Sequence, residues 1–316
     1  MKPIVTLTLN PSIDGASEAE KVRPVHKVRT SKERYDPGGG GVNVARVTQE
    51  LLGETLALYC SGGATGAVLD HLLADRSIPA RRIAIADHTR ISHTVFETQT
   101  GLEYRFVPEG PELSEREWRD VLDTLGAQNF DYVVASGSLP RGVPTDFYAR
   151  VGEIARARGA KLVLDTSGEA LRAAMDACGV HIAKPSLGEF EALVGRRLKE
   201  PREQMEAAMA FVTRGCVDHL AVTMGHEGAI LASREGAMRL PALQVEARSA
   251  VGAGDSFVAA LTLALARGRS ARDAFRYGMA AGTAAVLTPG TEMCRREDVD
   301  RLYEQFAQLA EAPPDA

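Results

Sequence analysis

The stretch Val251-Gly252-Ala253-Gly254-Asp255-Ser256 opens directly into residues 258–266, a run of good helix formers that is apolar on nearly every face. Two glycines and an acid therefore stand at the start of a buried helix, where unpaired N–H groups and the positive end of the helix dipole converge. A phosphoryl group can be held there while Asp255 faces it from the side, which is an arrangement for phosphoryl transfer. Taken alone, the same residues would serve equally well as a helix cap and a turn. A second place of this kind is Pro37-Gly38-Gly39-Gly40-Gly41-Val42-Asn43, which leads into a helix carrying Val44, Val47 and Leu51 on one face and Gly53 as its stop. Four consecutive glycines exceed what a turn needs. They let a ligand approach the backbone with no Cβ in the way, and Asn43 offers both a donor and an acceptor.

These residues need elements to position them. Residues 4–9 alternate and are β-branched, as in a strand, so Asp14 falls just past its carboxyl end and reads either as a hydroxyl acceptor or as a structural turn residue. Residues 15–36 are polar without helical period, and 92–98 and 103–107 form a hairpin around Gln99-Thr100-Gly101. Together they predict a small separate sheet carrying Arg90 and Arg105. From residue 112 the pattern is regular βα alternation, with Ser114-Glu115-Arg116-Glu117 as a capping box and apolar strands at 132–135, 161–165, 180–183 and 220–223. Near-continuous apolar strands separated by helices predict a parallel sheet covered on both faces. Its strand ends carry polar or glycine turns, including Ser136-Gly137-Ser138, Lys184-Pro185-Ser186 and Met224-Gly225-His226-Glu227-Gly228, all expected at the crevice that holds Asp255. Residues 271–311 read as mostly helical, with a frayed tail after Pro313-Pro314.

Composition narrows the partners. A net charge of -5 with no Lys/Arg cluster argues against nucleic acid or an anionic membrane. The four cysteines are dispersed without the short spacing of a zinc or redox motif, and no segment has the apolar length of a signal peptide or membrane span. The expected location is the cytoplasm.

The glycine motif near residue 40 and Gly252-Ala253-Gly254-Asp255 together resemble the two signatures of the ribokinase-like, PfkB-type carbohydrate kinases. The likeness extends through Thr6-Leu7-Thr8-Leu9, Pro11, Gly62-Gly63-Ala64-Thr65-Gly66, Tyr104-Arg105-Phe106-Val107, Ser136-Gly137-Ser138-Leu139-Pro140 and Ser167-Gly168-Glu169-Ala170-Leu171, over essentially the whole chain. This resemblance implies a doubly wound, mostly parallel α/β domain (1–14, 37–83 and 111–316) for nucleotide and sugar. It also implies a discontinuous β lid (15–36 and 84–110) through which two subunits pack as a homodimer. Within the family the likeness is to members that phosphorylate fructose 6-phosphate with ATP. The alternatives are kinases of fructose 1-phosphate or tagatose 6-phosphate, which tend to carry Lys where this chain has Gly40, and a catalytically silent ATP or sugar-phosphate sensor.

Carried over by position, the resemblance makes Asp255 the base and the N–H groups of Gly252, Ala253 and Gly254 the anion hole. Asp14, Gly39 and Asn43 would hold sugar hydroxyls, while Lys27, Arg90, Arg105 and Ser138 would surround the substrate's own phosphate. Lys184, Ser186, Thr223, Gly225 and Gly228 would bind ATP. Glu189 would organise Mg²⁺ through water, and the backbone around Ser249, Val251, Ala285 and Gly290 would hold a monovalent cation such as K⁺. One departure stands out: Ser186 replaces the family's usual Asn in Asn-x-x-Glu, and Ser186-Leu187-Gly188-Glu189 is equally a capping box.

Overall fold

The computed structural model describes residues 2–309. The chain builds a nine-stranded sheet from β1 (Ile4–Thr8), β4 (Thr55–Gly62), β5 (Ala80–Ile85), β8 (Tyr132–Ser136), β9 (Lys161–Asp165), β10 (Val180–Ala183), β11 (Val217–Thr223), β12 (Ala229–Ser233) and β13 (Gly236–Leu240). The order is β13-β12-β11-β10-β9-β8-β1-β4-β5. The seven strands from β11 to β5 run parallel, and β12 and β13 add antiparallel at one edge. Strands β1 and β8 are buried along their whole length, as two-sided strands must be, and this is why they read as unbroken apolar runs.

Ten helices complete the described residues: α1 (Gly40–Glu50), α2 (Gly63–Asp75), α3 (Glu115–Gly126), α4 (Phe147–Ala157), α5 (Gly168–Ala177), α6 (Leu187–Val194), α7 (Pro201–Thr213), α8 (Ala253–Ala266), α9 (Ala271–Ala285) and α10 (Arg296–Gln308). Alternate strand residues point into two cores. Val133 and Ala135 pack with Trp118, Phe147, Leu171 and Phe190 of α3 to α6, whereas Tyr132 and Val134 pack with Val44, Val47, Phe257 and Phe275 of α1, α8 and α9. Helix α8 is apolar all round because it lies sandwiched between α1 and α9.

The chain leaves β1 for β4 and β5 on one side, then crosses to β8 on the other. Strand order therefore reverses between β1 and β8, and at such a switch point the carboxyl ends of the strands open a crevice.

A second sheet, in the order β3-β2-β6-β7, is made of β2 (Ser12–Ala19), β3 (Ser31–Gly38), β6 (Arg90–Glu97) and β7 (Leu102–Phe106). A small separate sheet was expected, with its hairpin at 99–101, and it is present, but its strands begin deeper than the boundaries expected for the lid. Ser12 to Asp14 and Pro37-Gly38 belong to the lid strands, so Asp14 is a strand residue paired with Asp36 and Ser92 and not a turn residue. Residues 84 and 85 belong to β5 of the large sheet. The tail after Pro313 lies outside the described residues.

Candidate active site

Two cavities lie at the carboxyl edge of the large sheet, one on each side of the turn that starts α8. The smaller, about 190 Å³, is lined by Asp14, Gly39, Asn43, Arg90, Arg105, Val251, Gly252 and Asp255, together with Ser12, Ser92, Thr94 and Thr291. The larger, about 450 Å³, is lined by Thr223, Gly225, His226, Gly228, the 242–247 segment, Ala250, Ala253, Gly254, Phe257 and the α9 residues Met279, Gly282 and Thr283. Residues 250–255 form the wall between them. Gly252 is the N-cap of α8 at φ 73°, a left-handed conformation suited to glycine, and the N–H of Ser256 closes onto the Gly252 carbonyl at 2.8 Å. The N–H groups just before it begin the helix without intrahelical partners.

Asp255 is held from two sides. Asn43 Nδ2 donates to its Oδ2 at 3.0 Å, and the Ser136 hydroxyl lies 3.5 Å from its Oδ1. Burial pushes its carboxyl up to about 6, and nearby Asp165 and Asp14 add to that. The Asn43 hydrogen bond and Lys184 pull the other way. Asn43 is itself oriented by Arg46, whose Nη1 donates to Asn43 Oδ1 at 3.1 Å and to the Pro37 carbonyl at 2.9 Å. Arg46 is buried and also faces Asp36 at 3.7 Å. A chain of contacts thus runs from the root of the lid to Asp255. Arg46 belongs to the run Asn43-Val44-Ala45-Arg46, part of the family likeness, but nothing in the residue pattern gives it this orienting role.

Lys184 stands at the carboxyl end of β10 with its Nζ 3.1 Å from Asp165. Burial alone would lower it, but the carboxylates of Asp165, Glu189 and Asp255 hold it above the usual lysine range, so it remains a cation. A Cβ placed on Gly254 would meet this ammonium at 3.4 Å. Lys184 therefore stands beside the start of α8, next to the N–H groups.

In the smaller cavity Asp14 bonds the Ser12 hydroxyl at 2.5 Å, and burial raises its carboxyl despite Ser12, Arg46 and Arg90. Gly38 is required there, because a Cβ would stand 2.0 Å from Asp14 Oδ2. Arg90 donates both terminal nitrogens to backbone carbonyls, of Pro108 and Asn10, each at 2.9 Å, and its buried Nε is left without a partner. Ser92 and Thr94 follow Arg90 at spacings of two, on the same face of β6, and that period is the signal that could have found them.

The glycine run has a different basis from the one its sequence suggests. Only Gly39, at φ 103°, lines the cavity. A side chain at Gly40 would strike Ser136 Oγ at 2.2 Å, and one at Gly41 would strike Thr8 Oγ1 at 2.5 Å. These two glycines let α1 press against the ends of β8 and β1. Gly40 thus has a packing reason independent of the sugar.

Some expected residues are not brought together. Lys27 is exposed in the segment between β2 and β3, outside the cavity, and Ser138 accepts from Asn10 Nδ2 at 3.2 Å without lining it. Ser186 does not line the larger cavity. It caps α6 in a capping box in which Glu189 Oε2 accepts from the Ser186 N–H and hydroxyl at 2.7 and 2.8 Å. The segments bearing Ser249, Val251, Ala285 and Gly290 are joined by the Arg248 N–H to Val286 carbonyl bond of 2.7 Å. Within them, the Ala285 carbonyl accepts from the Thr288 hydroxyl at 2.7 Å. The α9 residues Met279, Gly282 and Thr283 that line the larger cavity have no signal in the sequence beyond the helical pattern.

The model of the pfkB family of carbohydrate kinases matches residues 8–298. ATP-dependent 6-phosphofructokinase isozyme 2 of Mycobacterium tuberculosis is 45% identical, over 99% of this chain and 92% of that protein. The protein of the same name from Escherichia coli is 38% identical, over 98% and 100%. The crystal structure of phosphofructokinase-2 from Escherichia coli in complex with fructose-6-phosphate superposes with a TM-score of 0.92 at 36% identity, covering 98% of this chain and 100% of that one. Two further structures of that relative, one in complex with potassium and one in a tetrameric inhibited form, cover the same shares with TM-scores of 0.94 and 0.92 at 37% and 36% identity.

Proposed function

The chain belongs to the pfkB family of carbohydrate kinases, and we propose that it transfers the γ-phosphoryl group of ATP to the 1-hydroxyl of fructose 6-phosphate, giving fructose 1,6-bisphosphate and ADP. The observation that carries this reading is the shared wall: a small cavity with two arginines and a larger, more apolar one meet at the amino-terminal turn of α8. A sugar phosphate suits the first and a nucleotide the second. The transferring group then sits at the turn between them.

In this arrangement the sugar's 1-hydroxyl oxygen attacks the γ-phosphorus in line while Asp255 takes its proton, the bond to the β–γ bridging oxygen breaks, and ADP leaves. A carboxyl near 6 suits the task, being ionised at neutral pH yet more basic than an ordinary Asp. The N–H groups of Gly252, Ala253 and Gly254, with the Lys184 ammonium beside them, stabilise the charge spreading over the phosphoryl oxygens. Asp14 and Asn43 hold hydroxyls, and Arg90 and Arg105 hold the 6-phosphate. Gly39 lets the sugar reach the backbone.

Mg²⁺ bound with ATP would neutralise charge on its phosphates. Among the described residues no group of three or more His, Cys, Asp or Glu could hold a metal by itself. Besides Asp255, the acidic side chains near Lys184 are Asp165 and Glu189, and these would bind Mg²⁺ through water. A monovalent cation would be held by backbone carbonyls of the joined 249–251 and 285–290 segments, adding positive charge behind the anion hole. A cytoplasmic location fits the use of ATP and a sugar phosphate. Separately, no helix among the described residues is long and apolar enough to cross a membrane.

The test is ADP release with MgATP on fructose 6-phosphate, fructose 1-phosphate, tagatose 6-phosphate and free fructose, with Asp255→Asn as control. Fastest turnover on fructose 6-phosphate, lost in the variant, is expected. A preference for another sugar phosphate would move the substrate, and no turnover on any sugar with ATP still bound would overturn the reading.

A further inference from the structure

Two of the four cysteines stand together, away from both cavities. Cys178 ends α5 and Cys216 immediately precedes β11. Strands β10 and β11 are parallel neighbours in which Val180 pairs with Val217. The residues entering them therefore share the amino-terminal edge of the sheet, roughly one strand spacing of ~5 Å apart, which is within the span of a disulfide. The Cys178 thiol, whose Sγ donates to the Asp176 carbonyl at 3.8 Å, is near enough to Cys216 to add to the burial that raises its thiol. Both cysteines are half-buried, and the neighbouring Gly179 and Gly215 are exposed, so a small reagent can reach them. Burial, with Cys178, raises the Cys216 thiol as well, but Cys60 and Cys294 are wholly buried, and burial pushes each up to about 12, which leaves them inert.

The backbone at Cys178 adds a second observation. Its φ of 56° and ψ of 164° fall in a region that glycine occupies freely and other residues rarely do. Arg156 from α4 donates to the Cys178 carbonyl at 2.9 Å and holds it there. A side chain with Cβ is thus kept in an unfavourable backbone conformation at the sheet edge where Cys216 leads into β11. Nothing in the proposed phosphoryl transfer uses either thiol.

We propose that Cys178 and Cys216 are a reversible thiol–disulfide site, oxidised by exchange with a small-molecule disulfide of the glutathione class. One protein thiolate attacks the small disulfide, forming a mixed disulfide and releasing one thiolate. The second protein thiolate then attacks the protein sulfur of the mixed disulfide and releases the other. Two protein thiols are oxidised and one small disulfide is reduced to two thiols, with the protons passing to solvent or to the released thiolates. The bridge would close a loop of roughly forty residues that contains Lys184 and Glu189, restraining the unfolded chain. Because it lies on the sheet edge opposite the cavities, turnover should hold.

The experiment incubates the full-length protein with oxidised glutathione, counts thiols after denaturation, and maps cross-linked peptides. The expected result is a fall from four thiols to two, a Cys178–Cys216 linked peptide, a rise in Tm of roughly 5 °C that a dithiol reverses, and ADP release within twofold of the reduced protein. Cys216→Ser should retain a single mixed disulfide on Cys178 and show no rise in Tm. Four thiols remaining, or mixed disulfides on either cysteine without a cross-link, would overturn the proposal. The wild-type thiol count together with the linked-peptide map decides between these outcomes even where a variant fails to fold.

Discussion

At the scale of single residues, the carboxyl of Asp255 carries two opposed consequences of its burial. Its proton leaves near pH 6, so kcat should fall as pH drops through about 6, and a pH profile checks this. Asp255→Asn should lower kcat by roughly 10²–10⁴-fold, the usual contribution of a positioned base. The same raised value means that the folded state binds this proton more tightly than the unfolded chain. Its stabilising effect is therefore complete below the unfolded value of 3.8 and lost as pH rises through about 6. Asp255→Asn should consequently be more stable at pH 7, by about 2 kcal/mol after discounting for the part of the carboxyl that faces the cavity, measurable by denaturant unfolding. Arg46 belongs to the same chain of contacts. With its Nη1 on Asn43 Oδ1, the amide can present only its NH₂ to Asp255. In Arg46→Gln the amide is free to turn, the donor that pulls Asp255 down is weakened, and the acid limb of the pH profile should move above its wild-type position. An unmoved limb with lower stability would make Arg46 purely structural.

At the scale of elements, the sequence was most legible where one local rule decides the geometry. Both capping boxes, at Ser114 and Ser186, formed as read, because Ser at N-cap and Glu at N3 satisfy each other's backbone whatever the surroundings. The hairpin at 99–101 and the parallel strands were legible for the same reason. The features that were not legible were each set by a distant partner. Strands β12 and β13 pair antiparallel at the sheet edge, and the cavity lining on α9 exists only because α9 packs against α8. Gly40 and Gly41 belong to this second class: a glycine run announces close approach, but only the fold says that strand ends, not a ligand, do the approaching. Gly40→Ala should therefore act through Ser136. Overpacking of this kind costs about 1–3 kcal/mol, and the displaced Ser136 hydroxyl should disturb Asp255, so Tm and kcat fall together. Glu189 allows the opposite separation. Gln also completes a capping box, so Glu189→Gln should leave Tm within a degree or so while removing the charge. A higher Mg²⁺ requirement in that variant would give Glu189 a role with the metal, and an unchanged one would leave it a cap.

At the scale of the whole molecule, the lid has one face on the cavity and another that is unusually apolar for a surface. Arg90, Ser92 and Thr94 of β6 look inward, whereas Ile91 is 44% exposed, and Tyr35, Leu102 and Phe106 of the same sheet are 48–58% exposed. A cluster of large apolar side chains on one small sheet calls for a cover, and a second lid is the cover a homodimer would supply. Lys27 sharpens the expectation. The resemblance puts it at the substrate phosphate, yet it stands exposed outside the cavity of its own chain, so a role there requires it to reach the cavity of a partner. Phe106→Glu places a charge in the middle of the apolar face and should convert the protein to monomers by sedimentation velocity, with the fold intact by circular dichroism. If Lys27 acts across the interface, the monomer should show a KM for fructose 6-phosphate raised roughly tenfold, the worth of one modest ionic contact. Lys27→Ala in the dimer should raise it by a similar factor, and the double variant should be no worse than either, because both changes remove one interaction. A monomer with unchanged KM would confine the sugar site to a single chain and leave the apolar face a purely structural contact.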